Sequence, residues 1–311
     1  MFSPDSWLFN LGVGCWTVSV GLRLRRVYGS ERRLLLAVHL LHRSITLPFS
    51  LLTSHFSLLP PPSAVTLANY LRASKKALIF TGAGISTGSG IPDFRGPQGV
   101  WTRRQPVYFQ DFMTLEAARI EHWDYKLEGR DAFRSARPNA VHHAIVRLEQ
   151  AGKLRCVITQ NIDGLHSLAG TSLECLVELH GTNALVECQS CHWRGDPEPH
   201  FEYFRRNRRP PLCECGGFLK PATISFGQNL DPAELERAAQ AAMEADLVVA
   251  LGSTLSVYPA ASFPLLAAQR DVPYIVINRG ATDHDHERSV TLRLEGEVSE
   301  IFPAAVEAAL A

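Results

Sequence analysis

The chain has 311 residues, 46% of them hydrophobic, with 31 basic side chains against 31 acidic ones. That length allows one large or two modest domains with a buried core, and the balanced charge excludes an overall field that would draw the protein to nucleic acid or an anionic membrane. The seven cysteines are odd in number, and Cys188, Cys191, Cys213 and Cys215 crowd into one segment. Such usage favours a metal site in a reducing compartment over a disulfide framework, so a cytoplasmic setting is expected.

Residues 1–62 stand apart from the rest. They hold Asp5 and Glu31 against six arginines, a charge-free run from Ser6 to Leu22, and Pro60-Pro61-Pro62 at the end. Gly12, Gly14, Thr17 and Ser19 interrupt the run, which argues against a membrane anchor, and the arginines follow it, which argues against a signal peptide. The segment is expected to be an atypical extension, disordered or upstream of the native start, with an organellar transit segment as the alternative.

From Ser63 the pattern is regular. Val65 to Arg72 reads as a short amphipathic helix and Ala77 to Phe80 as a strand. The strand runs into Thr81-Gly82-Ala83-Gly84-Ile85-Ser86-Thr87-Gly88-Ser89-Gly90, where glycines let backbone approach a pyrophosphate and a following helix start would point amides at it. The spacing is Gly-x-Gly-x-x-x-Gly, with no acidic residue ending a strand about 20 positions on, so this is not the ordinary dehydrogenase fingerprint. Ile91-Pro92-Asp93-Phe94-Arg95-Gly96 then offers a carboxylate, a flat apolar lid and a phosphate-pairing guanidinium, followed by Gly99-Val100-Trp101.

Residues 107–137 read as helical, with Tyr108, Phe109, Phe112, Trp123, Tyr125 and Phe133 packing a small module. Arg137-Pro138-Asn139 opens a helix over Ala140 to Gln150, in which His142 is expected to be structural. Leu154 to Ile158 is a strand, and Gln160, Asn161 and Asp163 stand at its C-terminal end, where open α/β sheets hold ligands. A second strand, Leu176 to Leu179, delivers His180 beside Gly181, and a neutral imidazole there can take a proton from a hydroxyl. Each has a plainer rival: Asn-Ile-Asp-Gly has turn composition, and a strand-end histidine can be purely structural.

Cys188-x-x-Cys191 and Cys213-x-Cys215, separated by 21 residues, put four thiolates on two knuckles. That donor set suits one tetrahedral, structural zinc with no open position. Between them Arg205, Arg206, Arg208 and Arg209, with Phe201, Tyr203 and Phe204, read as a solvated loop or, alternatively, a dock for an acidic partner. Ala222 to Phe226 is strand-like, and Asp231-Pro232-Ala233-Glu234 starts a helix that ends near Ala245. Asp246 to Leu251 is a buried strand stopping at Gly252-Ser253-Thr254; Pro259 to Arg270 is helical; Tyr274 to Ile277 ends in Asn278-Arg279-Gly280; Val298 to Leu310 is an amphipathic helix. Together these predict an α/β fold, a Rossmann-like doubly wound parallel sheet with a smaller zinc-ribbon plus helical module.

Gly82-Ala-Gly-Ile-Ser, Ile91-Pro-Asp-Phe-Arg-Gly, Thr159-Gln-Asn-Ile-Asp-Gly-Leu-His, Glu178-Leu-His-Gly, the four cysteines, Ser225-Phe-Gly-Gln and Gly252-Ser-Thr-Leu-Ser-Val-Tyr-Pro occur in the order of the sirtuins. The chain resembles that family of NAD-dependent protein lysine deacylases over residues 64–310, and looks most similar to the branch that includes chromatin-associated members. The resemblance implies a catalytic domain over 63–311, with Rossmann-like parts at 63–105, 138–184 and 222–311, a helical insert at 106–137 and the ribbon at 185–221. It implies NAD binding by Gly82, Ala83, Gly84, Ser86, Thr87, Asp93, Phe94, Arg95 and Trp101, by Gln160, Asn161, Ile162 and Asp163, and by Gly252, Ser253, Thr254, Asn278, Arg279, Gly280 and Val298. In that scheme His180 is the general base, Asn161 and Gln160 hold the nicotinamide ribose and Asp163 takes the nicotinamide amide.

The implied partner is an acyl-lysine protein or peptide, held extended between Gly227-Gln228 and Ser256-Val257, with no direct nucleic acid and no membrane. Gln228 stands where many members have Glu, and Cys213-x-Cys215 is one residue short of the usual pair. Desuccinylating members need a Tyr-x-x-Arg pair; here Glu128 follows Tyr125, which favours neutral acyl groups, acetyl most simply. Rival readings are mono-ADP-ribosyl transfer to protein and a slow NAD or ADP-ribose sensor, although binding alone has no use for a base such as His180. A nucleic-acid module has only the 205–209 arginines behind it.

Overall fold

The computed structural model describes residues 62–93, 99 and 104–311; the N-terminal extension and Phe94, Arg95 and Trp101 lie outside the described residues. The chain opens with helix α1 (Pro62–Ala73) and strand β1 (Ala77–Thr81). Every residue of β1 is buried, and alternate side chains part: Ala77 and Ile79 enter one core, Leu78 and Phe80 the other. A strand covered on both faces reads as a continuous apolar run. The same holds for β7 (Leu247–Leu251) and β8 (Tyr274–Asn278).

With β2 (Leu154–Thr159), β3 (Leu176–Glu178) and β9 (Leu292–Glu295) they form a six-stranded sheet of order β3-β2-β1-β7-β8-β9, parallel at every pair. Helices α1, α4 (Ala140–Gln150) and α9 (Val298–Leu310) supply one core; α7 (Pro232–Glu244) and α8 (Ser262–Ala268) supply the other. The strand order runs outward from β1 both ways, which opens a crevice beyond the C-terminal ends of β1 and β7. The doubly wound expectation therefore holds, and α4 and α9 have the bounds that the sequence predicts. Asn139 caps α4 by accepting from the Val141 amide at 3.0 Å, and His142 Nδ1 accepts from the Asn139 amide at 3.3 Å. His142 is thus structural, and burial, then His143, lower its pKa to about 4.

A second sheet, β5-β4-β6, is antiparallel and joins β4 (Gly181–Cys188), β5 (Arg194–Gly195) and β6 (Leu219–Thr223). The short helix α2 (Phe109–Thr114) precedes α3 (Glu116–Ser135), and the sheet packs with α3 and α6 (Glu198–Asn207) around Trp123, whose Nε1 donates to the Leu219 carbonyl at 3.1 Å. The short helix α5 (Leu165–Ala169) follows β2.

Three expectations are corrected here. The segment expected as a strand over Ala222 to Phe226 is strand only to Thr223, begins at Leu219 and belongs to the small sheet; Gly227, at φ +80°, turns the chain beyond it. The glycine loop continues as two 3-10 turns, Ala83–Ile85 and Thr87–Ser89, and not as an α-helix. The arginine-aromatic segment is not a solvated loop but largely helix α6: Phe201 and Phe204 are buried against Trp123 with ring centroids 5.0 and 5.9 Å away, Arg205 and Arg206 pair with Glu202, and Arg208 reaches Asp124 at 2.6 Å.

The crevice depends on close glycine packing. Gly252 sits at φ +60°, and a Cβ there would lie 2.7 Å from the Ile85 nitrogen. Left-handed strain and a backbone clash together predict that Gly252→Ala costs about 2–4 kcal/mol of unfolding free energy, read by urea denaturation. A loss below about 0.5 kcal/mol would mean that the turns are not rigidly matched.

Candidate active site

A cleft of about 380 Å³ opens over the C-terminal ends of β1, β2, β7 and β8 and against the small module. From the sequence-predicted set it brings together Gly82, Ala83, Gly84, Thr87 and Asp93; Gln160, Asn161, Ile162 and His180; and Gly252, Ser253, Thr254, Asn278, Arg279 and Val298. Gly227, Gln228 and Val257 of the two expected peptide-flanking segments also line it. Ser86, Asp163 and Gly280 are not in its lining. Ser86 is 1% exposed, and the Gly280 amide is taken by Glu295 Oε1 at 2.8 Å.

Ser86 and Asp163 instead stand behind Asn161. Asn161 Nδ2 donates to the Gly82 carbonyl at 3.1 Å and to Ser86 Oγ at 3.2 Å, and Ser86 Oγ donates to Asp163 Oδ2 at 2.7 Å. The other Asp163 oxygen accepts the Leu165 amide at 2.9 Å, at the start of α5. Burial raises the Asp163 pKa against these two bonds. One hydrogen-bonded chain thus ties the glycine turn, the end of β2 and α5, so the Asn161 to Gly164 turn is held against the cleft. Gln160 Nε2 donates to Ser253 Oγ at 2.8 Å, linking the ends of β2 and β7.

His180 leaves β3 at the cleft wall. Its Nδ1 lies 3.1 Å from the Gln160 carbonyl, which can only accept, so Nδ1 carries the proton and Nε2 is the basic nitrogen. Gly181 follows at φ +71°, where a Cβ would collide with the Ala222 carbonyl. An imidazole fixed this way can act as a general base on a hydroxyl in the cleft.

The cleft also has residues that the sequence reading missed or misplaced. His122, Tyr125 and Lys126 of α3 line it, whereas Glu128 is outside, 65% exposed and paired with Arg104 at 3.2 Å. Of the Tyr125/Glu128 pair only Tyr125 lines the cleft; the helical i, i+4 spacing of His122 and Lys126 was the available signal for their joining it. Lys126 is half-buried, and burial, then Lys220, pushes its pKa down to about 7. His122 is held well below the usual imidazole range by burial, then by Lys126 and Lys220. Tyr258, which lies in the motif that starts at Gly252, and Glu297 also line the cleft, and nothing in the local sequence marked Glu297.

At the other end of the ribbon the sulfurs of Cys188, Cys191, Cys213 and Cys215 all lie within 4.8 Å of one another. The Cys188–Cys215 and Cys191–Cys213 separations are 3.5 and 3.7 Å, close to the roughly 3.8 Å edge of a tetrahedron with metal–sulfur bonds near 2.3 Å. The shortened second pair fits because Gly217 brings backbone against Cys188, where a Cβ would lie 2.6 Å from the sulfur.

A Sir2 family model matches residues 82–259. The chain belongs to the Sir2 family. It is 40% identical over 228 residues to an NAD-dependent protein deacetylase of Rhodopseudomonas palustris, covering 73% of this chain and 90% of that one. With an NAD-dependent protein deacetylase of Haloarcula marismortui it shares 40% over 245 residues, 78% and 92% of the two chains. Among solved structures, a Sir2 variant with deacetylated p53 peptide and 3'-O-acetyl ADP-ribose matches at TM-score 0.71 and 34% identity, covering 78% of this chain and 96% of that one.

In this Sir2-family chain Glu178 stands two residues before His180. Burial, then Asp163 and Glu234, raises its pKa from 4.5 to about 7. A raised folded-state pKa means that the folded chain holds the proton more tightly, so this stability is present below pH 4.5 and drains as pH rises through about 7. The melting temperature of Glu178→Gln relative to wild type should therefore climb between about pH 5 and pH 8. A difference that stays flat across that range would remove Glu178 as the group responsible.

Proposed function

We propose that the protein is an NAD-dependent protein lysine deacylase, a deacetylase in the first instance. The observation that carries this reading is His180, with its basic nitrogen defined, in one cleft with the paired glycine turns and Asn161. The cleft suits a dinucleotide on its own chemistry. Its volume lies in the small-molecule range, and its floor is strand-end backbone stripped of side chains at Gly82, Gly84 and Gly252.

Bound NAD would supply a ribose carbon that exchanges its bond to nicotinamide for one to the acyl oxygen of the substrate; with one water consumed to release the amine, the products are nicotinamide, lysine and O-acyl-ADP-ribose. The protein's part is placement and one proton. Gln160 and Asn161 present amides to the ribose, their own positions fixed by Ser253 and by Gly82 and Ser86. Asp163 is assigned to the nicotinamide amide, with Ser86 and the Leu165 amide holding its carboxylate. His180 Nε2 accepts a proton from a ribose hydroxyl, while the Nδ1–H bond to Gln160 keeps the ring oriented. The acyl-lysine segment runs extended past Gly227-Gln228 and Val257.

The four cysteine sulfurs are assigned one zinc ion. Four protein ligands leave no position for chemistry, so the ion would hold the ribbon. These unbridged thiols suit a reducing, cytoplasmic setting.

Mass spectrometry of wild type with acetyl-lysine peptide and NAD should show deacetylated peptide, nicotinamide and acetyl-ADP-ribose, and His180→Ala should lose all three by at least about a hundredfold. ADP-ribose attached to protein with the peptide still acetylated would replace deacylation with mono-ADP-ribosyl transfer. Metal analysis should find about one zinc per chain, and chelation should lower the melting temperature. A metal-free chain of unchanged stability would remove the zinc assignment.

A further inference from the structure

Two buried imidazoles lie behind the cleft, and the reaction scheme uses neither. His142 of α4 and His166 of α5 are 0% and 2% exposed, with ring centroids 5.0 Å apart. Nδ1 of His142 is taken by Asn139, whereas His142 Nε2 and His166 Nδ1 are buried without a partner among the described residues. Burial, then His142, lowers the His166 pKa to about 3, so the ring is neutral near pH 7. Unpaired buried nitrogens are costly to a fold, and the one side-chain bond that His166 does make needs a reason.

That bond runs to the ends of the two strands beneath the ligand site. Thr81 and Thr159 end β1 and β2, are register partners, and are 0% and 1% exposed. Thr81 Oγ1 donates to Thr159 Oγ1 at 2.8 Å and lies 3.1 Å from His166 Nε2. A hydroxyl has one hydrogen, so with that hydrogen given to Thr159 the Thr81 oxygen accepts, and His166 Nε2 carries the proton that it donates. Thr159 Oγ1 in turn accepts the Asn161 main-chain amide at 3.0 Å.

Asn161 is where this line meets the cleft. Its two Nδ2 hydrogens go to the Gly82 carbonyl and Ser86 Oγ, which leaves Oδ1 as the atom it can offer a ribose hydroxyl, and Thr159 holds the backbone from which that amide is aimed. On the other side Asn139, which engages His142, donates Nδ2 to the Ile85 carbonyl at 2.8 Å and to Ser89 Oγ at 2.9 Å, both in the glycine turns. The imidazole pair is thus packed between the bonds that hold the glycine turns and those that hold Asn161. An apolar ring in place of His166 would fill similar space but leave Thr81 without its donor.

We infer that His166 is a positioning residue for the reaction: through Thr81 and Thr159 it fixes the hydroxyl that holds the Asn161 backbone, and with it the amide assigned to the nicotinamide ribose. The inference rests on the deacylase reading above and adds no chemical step. His166 is outside the cleft lining, so it acts only through the two threonines.

The test uses the full chain with an acetyl-lysine peptide and NAD, following nicotinamide release. His166→Phe should lower kcat by at least about tenfold with the KM for peptide unchanged, since a displacement of about 1 Å at a positioned group costs up to about a hundredfold. His166→Gln, whose amide nitrogen can donate to Thr81, should recover most of that loss. Thr81→Val removes the middle of the line at nearly constant shape and should lower kcat likewise. Adding His166→Phe to it should then cost less than about twofold more, because groups that act through one another are not additive. If His166→Phe does not fold, Thr81→Val reads the same loss, and Thr81→Ser, which keeps the hydroxyl, its recovery. Variants that melt lower yet keep the wild-type kcat make His166 a packing residue and overturn this inference. Losses that His166→Gln does not recover, or that add in full to those of Thr81→Val, also overturn it, and each of these results leaves the deacylase reading intact. No nicotinamide release by wild type removes the deacylase reading, and this inference with it.

Discussion

Gly84 and Gly252 meet backbone to backbone just beyond β1 and β7, with the Gly84 amide donating to the Gly252 carbonyl at 2.9 Å. A Cβ on either would fall within 3 Å of the other turn's main chain. This contact fixes the spacing of the two central strand ends, and the rest of the cleft is measured from it. Asn161 reaches the Gly82 carbonyl, Gln160 reaches Ser253, and His180 is held on the Gln160 carbonyl. His180 is thus positioned through a chain of hydrogen bonds that begins at two residues with no side chain.

The large sheet was legible because its strands are buried on both faces and therefore spell continuous apolar runs, as at Ala77 to Thr81 and Leu247 to Leu251. The polar residues that end those runs marked the cleft for the same reason. Legibility fell where a segment is paired on one side only or packs by tertiary contact. Edge strand β9 was missed, Ala222 to Phe226 was assigned to the wrong sheet, and α6 was taken for a loop because its arginines hide Phe201 and Phe204. At the site, motif residues such as Asn161 and His180 could be named from sequence. That Ser86 faces inward and that Lys126, not Glu128, faces the cleft depends on helix rotation and packing.

The small module contributes unlike things at its two ends. Trp123, Phe201 and Phe204 give it a core of its own, and the cysteine cluster closes its far tip. At the near end Lys126 binds α3 to both β4 and β6 through Asn183 and Thr223.

The small sheet leaves the cleft wall at Gly181 and comes back at Thr223, and these two residues are paired across β4 and β6. The intervening chain enters and exits by a single doorway, so residues added or removed at its tip exert no leverage on His180. The outer ribbon can therefore be resized, reshaped or recharged to meet different protein surfaces while the reaction centre keeps its dimensions.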